Sequence, residues 1–312
     1  GVEAIGRITP GCLGLYSDAN EAALKPIIAS VRKHSKAAIA IQLAHAGRKA
    51  SSHTPWDGGQ LIPISEGGWL PEGPSAVPHK AEEAPPLALD AAGLKRIVDA
   101  FVAAARRAER LGLDAIEVHS AHGYLLHQFL SPVSNKRTDR YGGSLENRIR
   151  FPLEVYEAVR ATFPQGKPVG VRVSCTDWVE GGWDLEQTLE FAKALKQRRV
   201  DWIDASSGGV SPLQKIPLGP GYQVPFAQAI KQATGVTTMA VGLITEARQA
   251  EEIIASGKAD MVALARGMLY DPRWGWHAAA ELGSEVSAPP QYWRSQPSTQ
   301  KSLFGATTFG AR

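Results

Sequence analysis

Short apolar segments alternate with longer amphipathic segments along most of the chain, and this alternation constrains the fold more than any other feature. The short segments are typical of β-strands, and the longer ones have the period of α-helices. The strand segments are apolar throughout, which indicates strands that are covered on both faces. Strands and helices in alternation predict right-handed crossovers and one parallel sheet. Six strands are predicted, at residues 37–43, 114–119, 168–174, 200–205, 236–241 and 260–265.

The number and order of these elements favour a TIM barrel. A closed (β/α)8 barrel has eight strands, whereas this chain opens with a predicted helix near Asp18 that has no strand before it. We therefore expect a barrel whose first strand, first helix and second strand lie upstream of Gly1. An open six-stranded sheet is the alternative. Because nothing interrupts the series, a single, N-terminally incomplete domain is expected over residues 1–312, with a C-terminal tail at 286–312.

The composition excludes several classes of function. The chain has 312 residues, a formal net charge of +3 and 44% hydrophobic residues, which is ordinary for a globular protein. Its charges form no basic block, so neither nucleic acid nor an anionic membrane is an expected partner. No apolar run approaches the roughly 20 residues of a membrane-spanning helix. Two cysteines, Cys12 and Cys175, are too few for a disulfide framework, and we expect a reducing cytoplasm.

Three residues that can donate protons or hydrogen bonds lie at the end of the second predicted strand. His119 ends that strand, His122 follows one helical turn later, and Tyr124 comes two residues further on. In parallel α/β proteins the loops after the strands carry the chemistry. Two imidazole N–H donors suit a carbonyl oxygen that gains negative charge, and Tyr124 would then be the proton donor.

Zinc binding is the alternative for the two histidines, because a three-residue spacing would place both on one helical face. His127 is the only candidate for a third ligand. It lies among leucines and a phenylalanine, however, which favours a packed side chain. No metal site is therefore predicted.

A second group of residues indicates a cofactor with a phosphate. Arg172 lies within an apolar strand, where a buried charge needs either a structural ion-pair partner or an electron-rich ring to contact. Gln42 ends the first predicted strand. After the last two strands come Gly242 and the pair Arg266 and Gly267. Barrels commonly bind phosphate at this position, so a phosphate-bearing cofactor is one interpretation of these residues. The alternative is that the glycines are simply turn residues.

Several motifs along the chain match one family. In order, the chain contains GRITPGCLGLYSD, IQLAHAGRKAS, HSAHGYLLHQFLSPVSNKRTDRYGGSLENR, VGVRVS and MVALARGMLYDPRW, with QYWRSQ near the end. These motifs resemble the Old Yellow Enzyme family of FMN-dependent ene-reductases, and especially its bacterial branch, which includes the xenobiotic reductases. The resemblance covers essentially the whole chain, and HSAHGYLLHQFLSP is a highly specific motif.

The resemblance implies FMN as cofactor and NAD(P)H as co-substrate. Gln42 and Arg172 would contact the pyrimidine edge of the flavin. The residues that would hold the phosphate are Gly242, Arg266 and Gly267. Hydride would pass from NAD(P)H to the flavin, and from the flavin to the β-carbon of an activated alkene, with protonation at the α-carbon.

The resemblance also implies a substrate pocket and a partner. His119 and His122 would bind the electron-withdrawing oxygen of the substrate, Tyr124 would donate the proton, and Leu218 would line the pocket. The two residues that would reach a neighbouring subunit's active site in a homodimer are Trp293 and Arg294.

One departure from the family concerns the N-terminal part, because the hairpin, the first two strands and the residues near the flavin C4 carbonyl and N5 are absent. Cys12 does not occupy the position of the flavin-tuning cysteine of the bacterial branch. Unpaired strand edges are therefore expected, with exchange of elements between chains or weak flavin binding as the result. The alternative function is a flavin-free barrel remnant that acts as a binding or scaffold protein or is completed by a partner chain.

Overall fold

The computed structural model of the chain describes residues 1–307, and its elements follow the predicted alternation. The strands are β1 (Ala40–Leu43), β2 (Glu72–Gly73), β3 (Leu87–Ala88), β4 (Ala115–Ser120), β5 (Val169–Ser174), β6 (Trp202–Ser206), β7 (Thr237–Ala240) and β8 (Met261–Val262). The α-helices are α1 (Asp18–His34), α2 (Ala91–Arg110), α3 (Leu125–Leu130), α4 (Leu145–Thr162), α5 (Leu185–Gln197), α6 (Val224–Thr234), α7 (Ala247–Ala255), α8 (Arg266–Tyr270) and α9 (Trp274–Glu281).

The main sheet has six strands in the order β1, β4, β5, β6, β7, β8, and every neighbouring pair is parallel. These are the six predicted strands in chain order, as in a TIM barrel, so the α/β fold class is confirmed. Within residues 1–307 the outer strands β1 and β8 do not pair with each other. The short parallel pair of β2 and β3 lies in the loop between β1 and α2 and was not part of the prediction.

The main sheet has one apolar face and one polar face. Residues paired in register share a face, and successive residues along a strand point to opposite faces. Val118 pairs with Val171, and both are buried in the main core beneath the helices. His119 pairs with Arg172, and Arg172 pairs with Asp204, so these three side chains lie next to one another on the opposite face.

The helices begin where short polar side chains accept a backbone N–H. Asp90, Ser144 and Asp184 each cap the following helix, as their positions in the sequence predict. At α1 the sequence suggests a capping pair of Asp18 with Glu21, and the structure shows that this expectation is wrong. Ser17 is the N-cap instead, since its side chain accepts the Asn20 N–H, and Glu21 turns away to bind Arg110.

The core between the sheet and the helices is dominated by large apolar side chains. The amphipathic helix α2 buries Ile97 and Phe101 completely. The rings of Phe129 and Phe151 lie 4.5 Å apart between α3 and α4. By contrast α1 has no buried residue, so it contributes little to this core. No helix within residues 1–307 is long and apolar enough to cross a membrane.

Residues 308–312 of the predicted C-terminal tail lie outside the described residues. The described part of the tail, residues 286–307, packs on α9. It contains a 3-10 helix, Pro290–Ser295. Leu303 and Phe304 are buried in a second, small apolar cluster, against which Trp276 and Trp293 pack. The predicted role of the tail in a dimer stays a prediction.

We expect Phe101→Ala to lower the free energy of unfolding by about 3–5 kcal/mol, because it removes a fully buried ring and leaves a cavity. Ile27→Ala on α1 is the matched control, since this side chain is 58% exposed, and its effect should stay within about 0.5 kcal/mol. Urea unfolding followed by circular dichroism measures both. Equal losses in the two variants would contradict the assignment of α2 to the core.

Candidate active site

Gln42 and Glu117 form a hydrogen-bonded link across the polar face of the sheet. They are register partners on β1 and β4, and Gln42 Nε2 donates to Glu117 Oε1 at 2.7 Å. The other carboxylate oxygen of Glu117 accepts from Trp202 Nε1 at 3.0 Å. Gln42 itself is exposed on this face, where it is available to a bound molecule.

Arg172 has a structural partner and also faces a cavity. Its Nε lies 3.1 Å from Oδ2 of Asp204, which is buried. The pKa of Asp204 is raised to about 7, because burial and the charge of Glu117 outweigh the attraction of Arg172. The sequence allows either a structural ion pair or a contact with an electron-rich ring for Arg172, and the structure contains the ion pair. Contact with a ligand remains open to it as well, since Arg172 lines a cavity.

His119, His122 and Tyr124 form one cluster at the carboxyl end of β4. The ring centroids of His119 and His122 are 5.1 Å apart, and those of His119 and Tyr124 are 5.4 Å apart. Nδ1 of His119 is buried and has no hydrogen-bond partner within residues 1–307. This ring nitrogen of His119 could therefore form a hydrogen bond with a bound molecule.

The backbone at His122 is not helical, so the expected helical spacing from His119 is wrong. His122 has φ of +58°, a left-handed conformation that is uncommon for a residue with a side chain. Its N–H donates to Ser174 Oγ at 2.9 Å, and its Nε2 lies 2.7 Å from Ser206 Oγ. These contacts with the last residues of β5 and β6 hold the turn in place, and the turn brings the two imidazoles together.

Burial and nearby positive charge keep both imidazoles neutral. The pKa of His122 is lowered to about 3, mainly by burial and then by the charge of Arg172. The pKa of His119 is lowered well below its usual value, again mainly by burial and then by His122 and Arg172. The pKa of Tyr124 is raised, mainly by burial. At neutral pH both imidazoles are therefore uncharged, and the phenol of Tyr124 keeps its proton.

His127 does not take part in a zinc site with the other two histidines. Its Nδ1 accepts the Gly123 N–H at 2.8 Å, and its Nε2 lies 2.9 Å from Oδ1 of buried Asp177. Both ring nitrogens are thus engaged within the core. Within residues 1–307, the potential metal ligands that lie close enough together are Glu3, His45 and Glu72, and none of them belongs to the cluster.

The predicted phosphate residues line a cavity of about 280 Å³ together with Arg172 and His122. Gly242 follows β7 in the chain, and Arg266 and Gly267 follow β8. Gly242 has φ of +124°, and a Cβ there would come within 2.9 Å of Gln223 Nε2, so a side chain would not fit. Two guanidinium groups and a glycine turn suit a planar ring with an anionic tail, as in FMN.

The remaining predicted residues lie elsewhere in this chain. Leu218 is in the loop after β6, is 69% exposed, and does not line the cavity of Arg172. Trp293 and Arg294 line a separate cavity in the tail, and Trp293 Nε1 donates to Ala288 O at 2.9 Å. Their contact with a substrate stays a prediction.

Three charged residues of the site are absent from the sequence-based prediction. Glu117 and Asp204 each interrupt an apolar strand, which is the signal that identifies Arg172, so the same argument could have found them. Lys49 ends the short 3-10 helix Gly47–Lys49, and its position in the sequence gives no sign of what its ammonium group contacts. Only the folded chain shows that its ammonium group lies against His122 and Tyr124.

Fold and site together define an α/β enzyme with a cationic cavity and a proton-donating cluster at the carboxyl ends of its strands. The family model for NADH:flavin oxidoreductase / NADH oxidase matches residues 1–285. An NADPH dehydrogenase from Geobacillus sp. (strain WCH70) is 44% identical over 293 residues, which cover 94% of this chain and 81% of the relative.

Solved structures agree with the sequence relatives. Morphinone reductase has a TM-score of 0.74 at 28% identity, over 99% of this chain and 79% of its own. An old yellow enzyme homologue from Zymomonas mobilis has a TM-score of 0.72 at 25% identity, over 98% of this chain and 84% of its own. The chain belongs to the NADH:flavin oxidoreductase / NADH oxidase family, and the predicted resemblance is confirmed. It is an NAD(P)H-dependent flavin oxidoreductase with FMN as cofactor.

The neutral histidines predict a loss of stability in acid. In the unfolded chain an imidazole takes up a proton near pH 6.5, whereas His119 and His122 stay neutral in the fold to much lower pH. Below pH 6.5 the unfolded state thus binds more protons, and each histidine lowers the free energy of unfolding by about 1.4 kcal/mol per pH unit.

Urea unfolding between about pH 5 and pH 7 tests this slope. Averaged over this range, His119→Asn with His122→Asn should flatten it by roughly 2 kcal/mol per pH unit, because asparagine does not titrate. His34→Asn is the control, since His34 is exposed at the end of α1 and should leave the slope unchanged. An unaltered slope in the double variant would show that the two imidazoles are protonated in the fold.

Arg266→Gln should weaken FMN binding by about 10- to 100-fold, because a charge-assisted contact to a phosphate is worth about 1.5–3 kcal/mol. Arg106→Gln is the matched control, because it removes one positive charge from the exposed side of α2. It should leave the affinity for FMN unchanged. Quenching of flavin fluorescence on titration of cofactor-free protein measures both. Equal affinity in the two variants would remove Arg266 from the phosphate site.

Proposed function

We propose that this flavin oxidoreductase reduces the carbon–carbon double bond of activated alkenes, such as enones, with NAD(P)H as electron donor. The observation that carries the proposal is the cluster of His119, His122 and Tyr124, whose member His122 lines the same cavity as Arg172. A pair of neutral N–H donors next to a protonated phenol is the set of groups that such a substrate needs.

FMN, when bound, supplies the hydride chemistry between the nicotinamide and the substrate. The residues that would hold it are Gln42, Arg172, Gly242, Arg266 and Gly267. Positive charge from the two arginines would balance the phosphate and the electron-rich ring. Because the Arg172–Asp204 pair fixes the guanidinium, this contact would be preorganised.

The two imidazoles would bind the carbonyl oxygen of the substrate. A neutral imidazole carries one N–H, so each ring can donate one hydrogen bond without bringing an extra charge into the buried site. His122 is oriented by Ser206, while His119 has an unused ring nitrogen. As electron density moves onto the oxygen during reduction, these donors would stabilise it more than they stabilise the ground state.

Tyr124 would supply the proton for the α-carbon. Its raised pKa keeps the hydroxyl protonated at neutral pH, which a general acid requires. The ring lies at the start of α3, next to His119, so the donor and the oxygen-binding groups share one loop. The enzyme family favours this function over the alternative of a flavin-free scaffold protein.

The substrate pocket extends, in this proposal, to Leu218 of the same chain and to Trp293 and Arg294 of a second copy in a homodimer. Leu218 is exposed and could cover a bound substrate. Trp293 and Arg294 lie in the tail with a second cavity between them and residues 296–301. Aromatic and arginine side chains of this kind are frequent in interfaces.

Tyr124→Phe should slow alkene reduction by about 10²–10⁴-fold, because it removes the proton donor. Flavin reduction by NADPH needs no proton from this residue and should stay normal. Stopped-flow spectroscopy of the flavin separates the two half-reactions, with cyclohexenone as the alkene.

The matched control is Tyr270→Phe, since Tyr270 is 94% exposed and does not line the cavity. It should leave both half-reactions unchanged. Alkene reduction at the wild-type rate in Tyr124→Phe would rule out Tyr124 as the donor. Full flavin reduction without any enone reduction in the wild type would rule out the substrate class itself.

A further inference from the structure

The ammonium group of Lys49 contacts two members of the proton-donating cluster, His122 and Tyr124. Lys49 ends the 3-10 helix Gly47–Lys49, which follows β1. Its Nζ donates to the carbonyl oxygens of His122, at 2.9 Å, and of Gly209, at 3.0 Å. The same atom lies 4.9 Å from the ring centroid of Tyr124. Lys49 thus joins the turn after β4, the loop after β6 and the proposed proton donor.

The two loops that Lys49 joins are in direct backbone contact. A Cβ at Gly123 would lie 2.0 Å from the carbonyl oxygen of Gly209, and a Cβ at Gly209 would lie 2.4 Å from the carbonyl carbon of His122. Only glycines allow this approach. The carbonyl dipoles of His122 and Gly209 therefore point at a common place, where a cation offsets their repulsion.

Several charged or titratable groups surround Lys49. Arg48 disfavours its charge and Glu83 favours it, but burial has the largest effect, and the pKa of Lys49 is lowered to about 8. In turn the charge of Lys49 helps to lower the pKa values of His79, His119 and His122.

Burial is the main cause of the raised pKa of Tyr124, and the charge of Cys12 raises it further. The pKa of the Cys12 thiol is lowered, because hydrogen bonds from Thr9 outweigh burial. Cys12 therefore has to be controlled for in any pH experiment on this cluster.

We propose that Lys49 is a positioning residue for proton delivery by Tyr124: it clamps the left-handed turn at His122 and places a positive charge on the face of the Tyr124 ring. This inference rests on the proposed role of Tyr124. When the Tyr124 O–H bond breaks, the proton passes to the α-carbon of the substrate and the electron pair stays on the phenol oxygen. The resulting phenolate would be costly in a buried site without a cation beside it.

The charge of Lys49 is present below about pH 8 and lost above it. The rate of alkene reduction should therefore be level below this pH and decline above it. Lys49→Arg keeps its charge throughout, so the decline should disappear in that variant. Cys12→Ser should show the same decline in rate above about pH 8, because the decline does not come from the Cys12 thiol.

Lys49→Met should slow alkene reduction by about 2- to 30-fold, the effect expected of one cation–π contact, and leave flavin reduction by NADPH unchanged. Lys49→Arg should restore most of the rate. Lys167→Met is the matched control, because Lys167 also donates to a carbonyl, that of Leu113 at 2.7 Å, and lies 5.6 Å from the Phe163 ring. It precedes β5, at the amino ends of the strands.

A double-mutant cycle shows whether Lys49 acts through Tyr124. In a Tyr124→Phe background there is no phenol to ionise, so adding Lys49→Met should cause no further loss of rate. If the two losses instead multiply, Lys49 acts by another route and the inference is wrong. A pH decline that persists in Lys49→Arg overturns it too.

Hydrogen exchange of the cofactor-free protein tests the clamp without any activity. In Lys49→Met, the amides of residues 121–124 and 208–210 should exchange faster than in the wild type, and in Lys167→Met they should not. Unchanged exchange in Lys49→Met overturns the clamp. If exchange is faster but Tyr124→Phe reduces alkenes at full rate, the proposed proton donor fails while the clamp holds, so the two failures can be told apart.

Discussion

The in-register pairing of β4, β5 and β6 is the constraint on which the site depends. It places His119, Arg172 and Asp204 in one row on the polar face of the sheet, while their neighbours Val118 and Val171 are buried on the other face. A shift of one residue in any strand would exchange these faces and bury the charges among the helices. The apolar residues under the helices therefore hold the polar row in place, although they never contact it.

Positive charge within a poorly solvated site explains the chemistry of the cluster. Arg172 and Lys49 lie on two sides of the histidines, and together with burial they keep both imidazoles neutral. The same charges favour an electron-rich ring or a developing anion nearby. Asp204 balances Arg172 only in part, because its own burial raises its pKa to about 7. The site is thus prepared for negative charge that arrives with a ligand or forms during a reaction.

Close backbone packing sets the geometry of the cluster. His122 takes a left-handed conformation, which costs of order 1–2 kcal/mol for a residue with a side chain. Hydrogen bonds with Ser174, Ser206 and Lys49 hold it there. Strain of this kind persists where the surroundings over-determine it, and such places are often functional. The turn at His122 is therefore the local feature that most distinguishes this loop from an ordinary strand–helix connection.

The sequence by itself determined the six strands, their parallel order and the position of the site, because hydrophobic periodicity and helix caps are local signals. Charged residues in apolar strands also have a local signal, which identifies Arg172 and could have identified Glu117 and Asp204. Only the tertiary structure decided the turn at His122, the place of Lys49 and the pairing of Glu21 with Arg110. Each of these depends on groups far away in the chain, such as Gly209 for Lys49 and Arg110 for Glu21, and no local pattern encodes such contacts.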